Sequence, residues 1–461
     1  MPTYYVGPGG NDGNDGLSWA NRFLTLNGAE DEPVAAGDTV YVAPGIYREL
    51  LTCDVSGSSG QPITYIGDVT GVNTDNIGGV VRITGSDNDL TGVRAYCVYS
   101  AAKEYRTFRG FSFDLATTSF VRFDDDVGEV IIEDCYFGES VDFADEGLRF
   151  WNCVASDTYI IRRCFFIAGE KALYLANTSG EVAISSSSLI ENCIFFGSAY
   201  GDAVHVDRVV GFDIKNCLFF ARDKAVFSAT ATTGSFDVLN SIFVFNVSAL
   251  EAQATGDIVE DYNAVPGNNA TQRTNVNTGS NSNAYPMLGQ TINQAYRWPW
   301  NLFMLSKDSQ LTAIAGSSEA TEDFFGITRP TTSSKKSWGP IQYQPATRET
   351  TETRGSSAGS LKLPDAGRTQ ITVPVFAAST TISVYVKREA NYAGTNPQMI
   401  IKEPGQSDRT KTDAGSSGSW NELTDTFTPS GDVDFVIVEL VSDNTATSGS
   451  YAAYFDDLAV T

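Results

Sequence analysis

Between about Glu104 and Val265 the chain alternates apolar and polar residues at period two, and it does so in copies. Phe108–Phe113, Ile132–Phe137, Ile161–Phe166, Ile190–Phe195, Ile214–Phe219 and Val238–Phe243 align without gaps, and Val259–Ala264 is a weaker copy. Counted from Phe111 through Cys135, Cys164, Cys193, Cys217, Ser241 and Tyr262, the steps are 24, 29, 29, 24, 24 and 21 residues. Period two predicts a strand as the repeated element. Self-similarity every 20–30 residues predicts a solenoid in which each coil pairs with its neighbours. The expected fold is all-β, a right-handed parallel β-helix.

The flanks divide the rest of the chain. Residues 1–50 hold the short strand Tyr4–Val6, a Gly-rich loop, a segment with room for one or two helical turns and the strand Thr39–Val42, and they read as the cap and first coil. Residues 51–344 carry the coils and a closing segment, with 265–284, rich in Asn, Thr and Ser, read as a long flanking loop. Residues 345–360 have almost no large apolar side chain and read as a linker. Residues 361–461 show short alternating strands around Gln370–Val375, Thr381–Val386, Met399–Ile401 and Phe435–Leu440, which predicts a jelly-roll β-sandwich.

Composition narrows the function classes. A net charge of −25 over 461 residues excludes nucleic acid as a partner, since phosphate binding needs clustered Lys and Arg. No apolar run is long enough to span a membrane as a helix. The start has neither a basic n-region nor an apolar h-region, so the expectation is a protein made in a cytoplasm without a signal peptide. Of seven cysteines, Cys135, Cys164, Cys193 and Cys217 share one repeat position, which predicts a column of small buried thiols.

The candidate chemistry lies on the strand after each turn. Glu146–Phe150, Lys171–Leu175, Asp202–Val206 and Lys224–Ser228 align. Period two turns Leu148, Leu173, Val204 and Val226 inward and Arg149, Tyr174, His205 and Phe227 outward. Glu146, Lys171, Asp202 and Lys224 then alternate in sign along one edge, which the plain reading takes as a charge ladder. The sharper reading is a groove in which His205, the sole histidine, serves as acid or base beside Asp202, Asp207, Lys171 and Arg149. Asp202 and Asp207 are also the candidate carboxylate pair for a glycosidase. Asp124, Asp125 and Asp126 form one possible calcium site, Asp456 and Asp457 another, and Asn11, Asp12, Asn14 and Asp15 crowd a Gly-rich loop. Tyr174, Tyr392 and Trp420 are the candidate sugar-contacting aromatics.

The run Tyr5–Asn21, with Pro8-Gly9-Gly10-Asn11-Asp12-Gly13 inside it, and Ala36–Tyr47 resemble the N-terminal signature of pectate-lyase-like parallel β-helix proteins. Pro286–Leu288, Asp323–Pro330 and Trp338–Gln342 resemble that superfamily's closing segment, so the likeness covers roughly residues 3–344. The ending Tyr451–Val460, with Ser357–Leu363 and Trp420, is similar to carbohydrate-binding jelly-roll modules. The resemblance implies the fold but leaves function open among lyases, glycoside hydrolases and phage tailspikes. Joined to the missing leader and the acidity, it implies a virion protein (tail fibre, tailspike or decoration protein) contacting surface polysaccharide, with other virion proteins as partners and a trimer as the expected assembly. A polysaccharide lyase or glycoside hydrolase is the alternative, and a bacterial surface or matrix protein the third reading.

Overall fold

The computed structural model describes residues 2–278 and 347–460, apart from 32–33, 139–145, 168, 198–200, 245, 264, 266–270, 350–359, 365–367, 375–378, 390–391, 393–395, 404–405, 430–434 and 443–451. The predicted closing segment lies outside the described residues. Two compact units divide between Gln342 and Tyr343.

The first unit is a right-handed parallel β-helix of about nine turns. Its described strands form three large parallel sheets, A, B and C, of eleven, eight and nine strands, and Val182–Ala183 pairs with Val209–Val210 in a fourth of two. One coil shows the rule. Glu129–Glu133 lies in sheet A, Tyr136–Phe137 in sheet B and Glu146–Trp151 in sheet C, and Thr158–Arg162 returns to sheet A beside the starting strand. Alternation sends Val130 and Ile132 inward and leaves Ile131 and Glu133 outward, as period two requires.

Inside, identical positions stack from coil to coil. Phe137, Phe166, Phe195, Phe219 and Phe243 form a column with centroid spacings of 4.4, 4.8, 4.9 and 4.7 Å. That spacing is the distance between neighbouring strands, so the rings stack because the backbone ladder sets them there.

From Asp134 to Ser241 the corner from sheet A to sheet B is two residues. Its first member has positive φ: Asp134 at 56°, Arg163 at 54°, Asn192 at 54°, Asn216 at 52° and Asn240 at 53°. Asn and Asp tolerate this region better than most residues. The second member is the thiol column, where each Cys points inward and donates to the carbonyl two residues back, at 3.2 Å for Cys135 and 3.3 Å for Cys164, Cys193 and Cys217. All seven cysteines are buried and free. In the last copy the positive φ falls on Tyr262, so Asn263 occupies the thiol position and the final step is 22 residues rather than 21. Asn263 fits there because its amide accepts from Ser241 N at 2.8 Å and donates to Val238 O at 2.7 Å.

Part of the stretch read as a loop after Val265 is solenoid. Thr271–Thr274 extends sheet C and Val276–Thr278 extends sheet A. At the other end the short helix Leu26–Asp31 lies over the first coils and inserts Glu30 into the core.

The second unit is a sandwich of antiparallel sheets. Thr347–Glu349, Ser360–Pro364, Ala452–Val460, Thr380–Arg388 and Trp420–Phe427 make one, and Arg368–Pro374, Phe435–Val441, Gln398–Lys402 and Arg409–Thr412 the other. Its separate core includes Ile382, Val384, Met399, Ile401, Val438, Leu440 and Phe455. Thr347–Glu349 falls within the predicted linker and pairs with Ser360–Pro364.

Candidate functional site

The outward face of sheet C gathers the groups singled out in the sequence. In register across its strands run Thr52, Tyr99, Arg122, Arg149, Tyr174, His205, Phe227 and Glu251. Beside this column run Asp124, Trp151, Ala176 and Asp207 on one side and Ser119, Glu146, Lys171 and Asp202 on the other. Leu148, Leu173, Val204 and Val226 are fully buried beneath.

Side chains on this face satisfy one another. Arg149 Nη1 lies 3.0 Å from Glu146 Oε2 and packs its guanidinium over Trp151 at 3.9 Å. Lys171 Nζ pairs with Glu170 at 3.1 Å and with Glu146 at 3.9 Å, and lies 5.0 Å from the Tyr174 ring centre. Lys224 Nζ pairs with Glu251 at 3.2 Å over the Phe227 ring. Arg122 Nε meets Asp124 Oδ1 at 2.7 Å. The predicted ladder is therefore real between Glu146 and Lys171 but stops at Asp202, whose partner is His205.

His205 Nδ1 and Asp202 Oδ2 are 2.7 Å apart. The imidazole is held between Tyr174 at 4.9 Å and Phe227 at 5.2 Å, edge to face with both. A carboxylate on one ring nitrogen fixes the tautomer and orientation that acid–base work needs. Asp207 lies elsewhere. It sits five residues along the same strand, about 16 Å from Asp202 between Cα atoms, and its carboxylate accepts from Thr230. In a glycosidase pair the carboxyl groups stand about 5–9.5 Å apart, whereas here each carboxylate has its own partner, His205 for Asp202 and Thr230 for Asp207.

Two neighbours of Asp202 were missed in the sequence. Burial first, and then the charge of Asp202, push the Asp223 carboxyl up. Asp223 precedes Lys224, one coil on from Asp202, and its amide donates to Gly201 O at 3.1 Å. Arg222 is fully buried beside it and donates to Gly169 O at 3.3 Å and Phe196 O at 3.2 Å. Burial pulls its guanidinium down, and Asp202 opposes that. No repeat pattern marks either residue, because both lie in the corner between sheets B and C, where the copies differ.

The candidate calcium ligands have partners within the protein. Asp124 holds Arg122 and accepts from Tyr99 OH at 3.2 Å, Asp125 accepts from Asn152 at 3.1 Å, and Asp126 accepts from Gly128 N at 3.2 Å. Three successive carboxylates thus point to three different partners. Asp12 accepts from Leu24 N at 2.8 Å and Thr25 N at 2.9 Å, tying the Gly-rich loop to the start of the helix. Asp456 and Asp457 sit at a register shift where Ala452–Val460 pairs with Thr380–Arg388, and Asp457 has φ 52°. That is bulge geometry. Among the described residues no three His, Cys, Asp or Glu side chains group as a metal site would.

In the sandwich, Tyr392 packs against the core and donates its hydroxyl to Ser442 O. Trp420 is outward, paired across the sheet with Lys387, which pairs in turn with Tyr454. Trp420 thus has a platform position, whereas Tyr392 is anchored.

No family model matches this chain, and no curated protein matches it. Solved structures do. Pectate lyase Pel9A is 17% identical, with a TM-score of 0.48 over 74% of this chain and 96% of its own. A rhamnogalacturonan lyase is 16% identical, with a TM-score of 0.37 over 57% of this chain and 74% of its own. A family 16 carbohydrate-binding module is 14% identical, with a TM-score of 0.20 over 26% of this chain and 86% of its own. These are likenesses of fold alone.

Proposed function

We propose that the protein is a polysaccharide-contacting adhesin whose solenoid engages a sugar chain along the outward face of sheet C. The observation that carries this reading is the continuous column from Tyr99 to Glu251, in which the rings of Tyr99, Tyr174, His205 and Phe227 share one face with the charged groups of Arg122, Arg149 and Glu251 at one coil's spacing. Sugars are recognised by that combination, with rings offered to C–H faces and planar polar groups to hydroxyls. Trp420 on the sandwich is a second contact of the same kind. A virion setting, as tail fibre, tailspike or decoration protein, belongs to the same proposal: coils that pair only with their neighbours make an extended body suited to projecting from a particle.

Cleavage is the second reading, favoured by one observation, the His205–Asp202 hydrogen bond with Asp223 close by. Incubation with a panel of polysaccharides separates the two. Retention without new ends supports adhesion, and Trp151→Ala with Tyr174→Ala should weaken it at least tenfold. New reducing ends abolished by His205→Gln would replace adhesion with hydrolysis, and unsaturated ends would replace it with elimination. Retention unchanged in the double variant would move the site off sheet C.

A further inference from the structure

The charges on sheet C bear on the kind of sugar chain it takes, an inference that rests on the site proposed above. Among the described residues Arg122, Arg149, Lys171 and Lys224 are its cations, and each already holds a neighbouring carboxylate between 2.7 and 3.2 Å. All four also lie over an aromatic ring, Arg122 over Tyr96, Arg149 over Trp151, Lys171 over Tyr174 and Lys224 over Phe227. A polyuronate would have to break these pairs to be bound, and would leave the displaced protein carboxylates beside its own. The remaining acids add to the mismatch. Asp202 is hydrogen-bonded to a histidine, and Asp223 lies near enough for Asp202 to bear on it. At long range a chain of net charge −25 repels a polyanion before contact.

A neutral sugar meets none of these penalties. Its hydroxyls both donate and accept, so they can bridge a paired carboxylate and ammonium without separating them, as water does. We infer that the sheet C face selects neutral, hydroxyl-rich polysaccharide and rejects polyuronates, through cations that are neutralised in advance by their own neighbours. The carboxylates Glu146 and Glu251 act here as specificity determinants. They are acids whose work is to occupy cations.

The test uses the full chain on immobilised neutral polymers (β-glucan, galactan, mannan) and on polygalacturonate and alginate. Each is run at low and high salt, and with chelator or added calcium. The expected result is retention on at least one neutral polymer, changed less than twofold by salt and at least tenfold weaker in Trp151→Ala. Glu146→Gln with Glu251→Gln should gain polygalacturonate retention several-fold at low salt and lose it at high salt, because Arg149 and Lys224 are then released. Unchanged circular dichroism and melting would show that the double variant keeps its fold. Wild-type retention on a polyuronate, with or without calcium, that falls in Trp151→Ala would overturn the inference while leaving the sheet C site in place. Retention on no polymer would overturn both.

Discussion

Arg106 occupies an inward position that Ile63 and Val130 fill on the coils to either side, so a guanidinium sits where methyl groups belong. Its partner is Glu30 at 2.5 Å, and Tyr65 donates to the same carboxylate from within the core. Burial alone would raise the Glu30 carboxyl, but the charge of Arg106 and the hydrogen bonds from Arg106 and Tyr65 hold it below its ordinary value. A carboxyl with a depressed folded pKa contributes stability that is fully present above the unfolded value, about 4.5, and is lost as pH falls through the lower folded value. Glu30→Gln should therefore cost roughly 3–5 kcal/mol near neutrality by leaving the guanidinium buried without its counter-charge. The gap from wild type should narrow below about pH 4.5. Urea denaturation at both pH values checks this, and a neutral-pH difference under about 1 kcal/mol would sink it. Arg106 was legible in part, since the alternation that turns Phe108 inward turns Arg106 inward as well. Its partner was not, because nothing local links a helix near the start of the chain to a strand 76 residues later. His205 and Asp202 were readable as neighbours on one strand, whereas Asp223 approaches from another coil and only the stacking brings it near.

At the scale of the element, the A–B corner repeats most faithfully, and it was the most legible feature of the chain. A polar residue able to take positive φ, followed by a small inward one, is a two-letter signal that survives wherever the strands on either side are kept. It fails at the last copy, where Asn263 does by hydrogen bonding what the thiols do by packing. Sheet C was harder to read, because Ala172 and Leu173 are both inward and break strict alternation at the start of the strand. The thiols themselves give a prediction. Burial pushes Cys53, Cys97 and Cys153 up to about 12, and all seven thiols lie inside the coils. A thiol-reactive dye at mildly alkaline pH should label none in the native protein and all seven in denaturant. Rapid native labelling of two or more would contradict the column. Cys217→Ser should cost about 1 kcal/mol or less, since Ser241 holds the next position and bonds Leu239 O at 3.0 Å. Cys217→Leu should cost about 1–3 kcal/mol by overpacking, and chemical denaturation ranks the two.

For the whole molecule, the two units have separate hydrophobic cores of different construction. The solenoid gains stability by adding coils and the sandwich by closing two sheets on each other, so their unfolding free energies respond differently to heat. Calorimetry should resolve two transitions, and residues 343–461 produced alone should reproduce one of them. A single sharp transition would mean the units fold as one. Fold class was legible at this scale because each architecture repeats one periodicity many times over. The positions of the outermost strands were not, since at Thr271–Thr278 the composition turns polar while the ladder continues.

The fixed A–B corner has one more consequence. Coils of 24 and 29 residues share it unchanged, so all their difference in length is taken up at the other two corners. One edge of the solenoid is a spine and the other two are free margins, and a margin such as residues 229–235 can lengthen without moving a single inward side chain. A foreign peptide grafted there would be carried on a rigid frame, and several could be spaced along the rod at multiples of a coil.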